Sequence, residues 1–573
     1  MRSECHLAAS TLKLILKRFP ECTVSAAGDR GLRYVLYEDA VVPGNPFRPD
    51  KARKVEAFYW IFVDFPDFVL QRSACWPVLT LIRSKIIAQI PGGVSHVTRF
   101  LLNMFRPFSD GVVLPSTTTP CILRARFGGF LADLLGHKEL MCSKGVSSAI
   151  HPCWNCANLA MRPNGNYRDG ELTIACWDID SFMKHTDESL FDMVDRLHDS
   201  VGRVSNGRVL ELQTATGFNV CEAGLLRDKT LRDIYSPTNH HLRDWMHTVV
   251  GDGIANTETG LVLHAMRAHK ISLAMVQEFL VGCKLPQMHG KVQRDWLKES
   301  RLKGNTMSSF AGIMLTVVPI VALFLDYFNV KEYCPAEVQS YELLHALTSL
   351  LRLSPSKVPA HISKMKGLIR SHQEAFVIAY GSEMLKPKAH QMHHVVDHIE
   401  YLGKCLSCFV TERKHREVKK SAINVFRHFE STTLRDMLNS QYQYMSSGHD
   451  LFTPQFLSKT RLQDVKAGGR TFRLSKGSAV CHVGELFAGD IVFMKTGIVM
   501  QIAAFWQEDD SDICIEGSAL HAVADDVSVR SLTDVTTMFQ RTVDICDACI
   551  YFSPSPGVVK ISIPPHALIL PTG

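Results

Sequence analysis

Three strongly apolar runs near the start of the chain constrain its fold most. LRYVLYED (residues 32–39), EAFYWIFVDF (56–65) and CWPVLTLIR (75–83) are rich in β-branched and aromatic residues, and turn-forming segments separate them. This pattern predicts three sequential strands. Residues 94–105 follow with apolar positions at helical spacing, and residues 121–133 have the composition of a fourth strand. The sequence therefore predicts an α/β domain at this end of the chain.

Length and composition indicate a globular protein of several domains. The chain has 573 residues, of which 46% are hydrophobic and 21% are charged. A chain of this length usually divides into roughly two to four domains. The net charge of +6 permits a nucleic-acid partner but does not by itself indicate one. The 17 cysteines follow no regular framework, which favours a reducing compartment over a secreted disulfide scaffold.

The pattern of hydrophobic, glycine and proline residues changes along the chain and predicts five regions. Helical periodicity dominates the middle, whereas short alternating runs with glycine and proline dominate after about residue 447. The predicted regions are an N-terminal helical segment (1–30), the first part of an α/β core (31–160), a mainly helical insertion (161–385), the end of the core (386–446) and a small all-β domain (447–573).

One uncharged segment, residues 305–325, is about as long as a membrane span. Its first residues are polar, Pro319 interrupts it, and Lys303 and Asp326 flank it closely. We therefore expect a buried helix and no membrane partner. A membrane-anchored protein is the alternative that this segment leaves open.

Acidic residues at the ends of predicted elements suggest a metal site. Asp39 ends the first predicted strand, Asp133 ends the fourth, and Glu412 lies on the basic helix TERKHREVKK. Two Mg²⁺ ions about 3.5–4 Å apart need several hard oxygen ligands and compensation of charge. Spacing alone does not single out this triple among 57 acidic residues. Glu38, beside Asp39, and Asp64, at the end of the second run, are rival carboxylates.

A second candidate metal site contains cysteines. Cys153 and Cys156 have the C-x-x-C spacing of two zinc thiolate ligands. Asp244 and His247, in NHHLRDWMH, have the spacing of residues that share a helix face and offer further ligands. Spacing fits equally well the alternative of two reduced cysteines in a loop and a histidine that is hydrogen-bonded within the core.

A histidine-rich segment and a basic helix follow towards the end of the predicted core. His390, His394 and His398 are four residues apart, so a helix would place them on one side. Metal binding is one interpretation, but surface or DNA-facing histidines are the more common outcome of such spacing. If Glu412 is catalytic, the neighbouring basic residues would meet DNA phosphates; a solvated helix face is the alternative. These residues are Arg413, Lys414, Lys419 and Lys420.

These segments, in this order, resemble the DDE transposases of the CACTA-like and Plavaka (KDZ) group of eukaryotic transposons. The first block is the strand that ends at Asp39, followed by a GNP turn and FYWIFVDFP, and the second is LRARFGGFLAD with the C-x-x-C pair after it. The third is RDWMHTVVGDGI, and the fourth is KPKAHQMHH with ERKHREVKK beyond it. The resemblance runs from about residue 32 to residue 427.

The resemblance implies an α/β ribonuclease-H-like catalytic core interrupted by a large α-helical insertion, with the small all-β domain outside the matched part. It implies nicking and strand transfer on double-stranded DNA in the nucleus, by a homo-oligomer. It places Mg²⁺ or Mn²⁺ at Asp39, Asp133 and Glu412. It also implies a structural Zn²⁺ held by Cys153, Cys156 and His247, with Asp244 or a neighbouring histidine as a further ligand.

One departure from the family pattern leaves a different function open. Only 38 residues precede Asp39, whereas family members usually carry a longer N-terminal region that recognises transposon ends. We therefore expect either a truncated transposase or a descendant without site-specific binding. The alternative function is that of a catalytically inactive, transposase-derived protein that binds DNA or chromatin.

Overall fold

The computed structural model describes most of the chain in two units. The described residues are 31–43, 51–114, 121–144, 151, 153–158, 180, 182–423, 425, 428–447, 455–459, 461–467, 469–508, 511–523 and 526–566. The predicted N-terminal helical segment, residues 1–30, lies outside them. One unit comprises Met1–Thr248 and Ser382–Gly448, and the other comprises Val249–Gly381 and His449–Gly573.

The strands fall into two groups along the chain. The first group is β1 (Leu32–Val41), β2 (Val55–Phe62), β3 (Val78–Arg83), β4 (Val112–Leu114), β5 (Cys121–Leu123), β6 (Ala125–Ala132), β7 (His241–Arg243), β8 (Leu302–Lys303) and β9 (Thr306–Met307). The second group is β10 (Phe456–Leu457), β11 (Leu462–Ala467), β12 (Arg470–Ser475), β13 (Ser478–Cys481), β14 (Gly484–Phe487), β15 (Ile491–Met494), β16 (Val499–Glu508), β17 (Cys514–Val523), β18 (Asp526–Arg541), β19 (Ile545–Ala548), β20 (Ile550–Ser555) and β21 (Val558–Ser562).

Helices occur in both units. In chain order they are α1 (Asp67–Leu70), α2 (Ser84–Ile87), α3 (Gly93–Phe105), α4 (Pro107–Asp110), α5 (Leu134–Leu140), α6 (Asp187–Asp199), α7 (Asn206–Thr216), α8 (Ile254–Ala268), α9 (Leu273–Gly282), α10 (Ala311–Tyr327), α11 (Pro335–Leu351), α12 (Ile362–Tyr380), α13 (Pro387–Leu402), α14 (Phe409–Ala422) and α15 (Phe429–Ser447).

The first unit is built around a mixed five-stranded sheet with the order β3-β2-β1-β6-β7. The strands β1, β2 and β3 pair antiparallel, whereas β6 runs parallel to β1 and β7 runs parallel to β6. Both faces of β1 are covered, which explains why its sequence is almost continuously apolar. On one face Phe105 of α3 stacks on Tyr34 at 4.6 Å between ring centroids, and on the other His415 of α14 lies 5.9 Å from Tyr37.

The described residues between 182 and 248 belong to this unit, although their helical pattern predicted that they are part of the insertion. The reason is β7, whose residues pair with Phe130, Leu131 and Ala132 of β6. A strand of three residues is too short to produce a recognisable alternation of apolar and polar positions. The helical part of the other unit begins only after Thr248.

The second unit combines α8–α12 with the strands β10–β21. Most of the uncharged segment lies in α10, with Pro319 inside the helix and its central residues buried. Among the described residues, no helix has both the length and the apolarity that crossing a membrane requires. The C-terminal strands pack on helices of the same unit: Phe552 of β20 lies 4.6 Å from Phe279 of α9 between ring centroids. Lys284 and Tyr551 form a backbone bridge beside this contact.

Candidate metal centres

Three carboxylates lie at the same edge of the five-stranded sheet. Asp39 is near the end of β1, while Asp133 and Asp244 directly follow β6 and β7. Tyr37 pairs with Leu131, and Ala132 pairs with Arg243. Continuing this parallel register by one or two residues places the three acids next to one another. The carboxyl ends of adjacent parallel strands are a common location for binding sites.

Helix α14 adds a fourth carboxylate and a histidine to this edge. The potential ligand atoms of Asp39, Glu412 and His415 all lie within 4.8 Å of one another. Nδ1 of His415 is 3.6 Å from Oε2 of Glu412 and 3.8 Å from Oδ2 of Asp39. Glu412 and His415 share a helix face because they are three residues apart. The predicted partners Asp39 and Glu412, which are far apart in sequence, therefore meet.

Charge accumulates in this group. Burial raises the pKa of Asp39 to about 6, and the carboxylates of Glu412 and Asp133 add to the increase while His415 opposes it. Burial would also raise the pKa of Glu412, but the nearby His415 and the charge of His247 keep that pKa below its usual value. Like charges that face one another in a partly buried site favour a bound cation.

Asp133 lies beside this group but outside it. Its Oδ1 accepts a hydrogen bond from the backbone N of Gly136 at 2.7 Å, so this carboxylate caps the N-terminus of α5. It lines a small cavity of about 80 Å³ together with His247, Lys388 and Gln391. The third predicted acid is therefore next to the other two by strand register and by charge, but its side chain is engaged in a helix cap.

Asp244 and His247 form a separate arrangement in the same region, with Cys408 as a third potential ligand. The buried carboxylate of Asp244 accepts hydrogen bonds from Nδ1 of His247 at 2.7 Å and from the backbone N of Cys408 at 3.0 Å. Burial would lower the pKa of His247, but Asp244, together with the charges of Asp133 and Glu412, raises it to about 9. His247 is therefore a cation that faces the carboxylates.

The cysteine pair meets two histidines of α13. The potential ligand atoms of Cys153, Cys156, His390 and His394 lie within 4.8 Å of one another, and all four residues are buried. Nε2 of His394 is 3.5 Å from Sγ of Cys153, 3.3 Å from Sγ of Cys156 and 3.1 Å from Nε2 of His390. Two thiolates and two imidazoles form the donor set of closed, structural zinc sites. This group can hold a metal ion.

Surrounding groups orient the ligands of the Cys/His site. Nδ1 of His394 lies 3.3 Å from Oδ2 of Asp397, and Nζ of Lys184 donates to the same carboxylate oxygen at 2.8 Å. Such carboxylate–histidine pairs are typical of bound metals. Burial alone would raise the pKa of Cys153, but its hydrogen bond with Cys156 and the charges of the two ligand histidines hold that pKa well below its usual value. The site therefore favours the thiolate, which is the metal-binding form.

Several predicted site residues lie elsewhere than expected. Asp244 and His247 do not join the cysteine pair, because they follow β7 and turn towards the carboxylates. Lys414 is 1% exposed, and its Nζ donates to Oε2 of Glu417 at 2.6 Å, so its ammonium group does not face solvent. Arg413, Lys419 and Lys420 are exposed. The rival Asp64 pairs with Arg33 at 2.6 Å.

Some of these positions carried a signal in the sequence. The four-residue spacing of His390 and His394 puts both on one helix face. Spacing alone does not favour them over Asp244 and His247 as partners of the cysteines. His415 stands three residues after Glu412, and this same-face spacing is the signal by which the sequence could have identified it.

No protein-family model matches this sequence, and a search of curated proteins found no match either.

Proposed function

We propose that the chain is a DDE-type transposase, or a descendant of one, with a ribonuclease-H-like catalytic core. The observation that carries this proposal is the convergence of Asp39 and Glu412, 373 positions apart in the printed sequence, at the sheet edge where Asp133 also lies. The sheet order β3-β2-β1-β6-β7, with three antiparallel strands followed by two parallel ones, supports the fold assignment.

The carboxylates fit hard divalent cations such as Mg²⁺ or Mn²⁺, because they supply several oxygen ligands in a partly buried site. Asp39 and Glu412 would hold these ions, with Asp133 beside them. Divalent cations at such a site lower the pKa of an attacking water or hydroxyl and stabilise the leaving oxygen of a phosphodiester.

The surrounding residues have distinct roles in this proposal. His415 lies within 4 Å of both Glu412 and Asp39 and partly offsets their negative charge. His247, held by Asp244, presents positive charge near Asp133 and Glu412. A scissile phosphate is an anion, and a fixed cation of this kind favours its approach.

Double-stranded DNA is the proposed substrate. Arg413, Arg416, Lys419 and Lys420 are exposed on α14, the helix that carries Glu412. Exposed cations beside a phosphodiester-cleaving centre would neutralise backbone phosphates. A nuclear location and assembly into a homo-oligomer that holds two DNA ends follow from the same proposal, as does Zn²⁺ as the structural ion of the Cys/His site.

The test is nicking of supercoiled DNA by the purified full-length protein with Mg²⁺ or Mn²⁺. We expect Asp39→Asn and Glu412→Gln to reduce nicking by about 100-fold or more. Asp110→Asn, which changes an exposed carboxylate at the end of α4, should retain full activity. Equal nicking by Asp39→Asn and the unaltered protein would refute the assignment of the site.

The engagement of Asp133 in a helix cap favours one alternative, a non-catalytic DNA-binding descendant. That protein would bind DNA in a salt-sensitive way without nicking it, and Asp39→Asn would leave its affinity unchanged. Affinity that depends on divalent cations would count against this alternative.

A further inference from the structure

Two cysteines outside the metal centres lie side by side in the first unit. Cys142 follows α5 in the left-handed backbone conformation, with φ of 52°. Cys221 lies in the segment after α7. The two segments are joined by a backbone bridge between Ser143 and Phe218 and by a hydrogen bond from N of Asn219 to O of Cys142 at 2.8 Å. Secondary structure therefore holds the two cysteines together.

The two sulfur atoms lie close to each other. A Cβ atom added at Gly224 would lie 3.2 Å from Sγ of Cys221 and 3.3 Å from Sγ of Cys142, so both sulfurs border the same point. The Cys142 thiol donates a hydrogen bond to Sγ of Cys221. Neither residue is fully buried. This proximity gives each sulfur a partner within reach.

The surroundings make the two thiols unequal. The hydrogen bond from Cys142 lowers the pKa of Cys221 to about 7, and the backbone N–H groups of Ala223 and Gly224 assist while burial opposes. The pKa of Cys142 is raised by the same hydrogen bond. For comparison, burial raises the pKa of Cys283 to about 12. Cys221 is therefore the more acidic of the two thiols, and a substantial fraction of it is thiolate at neutral pH.

Charged groups and solvent access around Cys221 are compatible with this state. Glu222 opposes the thiolate, Nε2 of His198 accepts a hydrogen bond from the backbone N of Cys221 at 3.1 Å, and Arg99 lines the adjoining cavity. That cavity, of about 520 Å³, is open to the surface and bordered by Cys221. A small oxidant can therefore reach the sulfur. Accessible thiolates beside a second cysteine are the usual sites of reversible thiol oxidation.

We infer that Cys221 and Cys142 form a peroxide-reactive pair, with Cys221 as the nucleophile and Cys142 as the resolving thiol. The Cys221 thiolate attacks hydrogen peroxide: an S–O bond forms, the O–O bond breaks, and the released hydroxide takes a proton to become water. The Cys142 sulfur then attacks the sulfenic acid. An S–S bond forms, the S–O bond breaks, and the hydroxyl leaves with the Cys142 proton as a second water. Two thiols are oxidised by two electrons, and the peroxide is reduced.

Mass spectrometry of the full-length protein tests this inference. Reduced protein is treated with hydrogen peroxide, blocked with N-ethylmaleimide and digested with trypsin. The peptides 139–144 and 209–227 contain one cysteine each, and we expect them to be joined by a disulfide. In Cys142→Ala the sulfenic acid at Cys221 should persist and react with dimedone. Cys283→Ser is the matched control and should leave the cross-link intact.

The pH dependence of iodoacetamide labelling supplies a second readout. Labelling of Cys221 should have its midpoint at about pH 7, and Cys142→Ala should move that midpoint upwards because the hydrogen bond is lost. Absence of the joined peptides after peroxide treatment would overturn the inference. So would sulfenic acid at Cys142 in Cys221→Ser at the level that Cys221 shows in Cys142→Ala.

Discussion

At the scale of single residues, Asp39 combines burial with like charge. Its carboxylate lies at the end of an apolar strand, where the hydrogen bonds from Tyr37 and the backbone N of Ala40 stabilise it only in part. The nearby acids Glu412 and Asp133 raise its pKa further. An ion bound there would remove this cost, so the metal-free protein should be less stable than the metal-bound one.

We expect Asp39→Asn to stabilise the metal-free protein at pH 8 by about 1–2 kcal/mol. The pKa of Asp39 in the folded protein, about 6, exceeds its usual 3.8. The folded state therefore binds the proton more tightly, and the cost of the charged carboxylate appears as pH rises from about 4 to about 6. Urea unfolding of both proteins in EDTA between pH 4 and pH 8 measures this difference in the free energy of unfolding. A stabilisation that is equal at pH 4 and pH 8 would contradict it.

Divalent cations should stabilise Asp39→Asn less than they stabilise the unaltered protein. Mg²⁺ or Mn²⁺ should raise the melting temperature of the unaltered protein, whereas Asp39→Asn should show a much smaller increase because one ligand is missing. Asp110→Asn serves as the control and should respond like the unaltered protein. An equal response of all three proteins would place the binding of these ions elsewhere.

The Cys/His site allows a prediction with a neighbouring control. Cys156→Ser and His394→Asn should each abolish binding of one zinc ion per chain and lower the free energy of unfolding by more than about 3 kcal/mol. His393→Asn changes a buried residue of the same helix that lies outside the ligand group, so it should retain zinc. Metal analysis of the purified proteins decides this. Zinc at full occupancy in His394→Asn would exclude the ligand assignment.

At the scale of elements, α14 shows which parts of the site a sequence can specify. The spacing of Glu412 and His415 fixes a shared face, and the apolar runs of β1, β2 and β3 are strong enough to predict three strands. The burial of Lys414 was not predictable, because its neighbours in sequence are charged and only packing against other elements covers it. The partners of Cys153 were equally undetermined, since two histidine-containing segments could each supply the further ligands that a C-x-x-C pair needs.

The two faces of α14 should affect DNA binding differently. Lys419→Ala/Lys420→Ala should weaken binding and reduce the slope of log K against log [salt] by about 2, because each phosphate contact contributes about 0.9. Lys414→Met changes a buried residue and should leave the slope unchanged, whatever its effect on stability. Fluorescence anisotropy with a labelled duplex over a range of salt concentrations measures both. An unaltered slope in the double variant would remove this helix face from the DNA interface.

At the scale of the whole molecule, the first unit is assembled from two separated stretches of chain. β7 completes the sheet before Thr248, and α14 supplies Glu412 after Ser382. The Cys/His site joins the two stretches, with Cys153 and Cys156 in one and His390 and His394 in the other. Local periodicity predicted the separate pieces, but such long-range junctions depend on tertiary contacts that no window of sequence contains.

The hydrogen bond from Nζ of Lys388 to O of His247, at 2.7 Å, has a consequence for how the gene for such a protein can change. It shows that the chain leaves the first unit and re-enters it at neighbouring points. An insertion whose two ends lie next to each other does not need a fixed length. Residues 249–381 can therefore change in length while the sheet and its carboxylates keep their positions, provided that the helices which contact the C-terminal strands are retained.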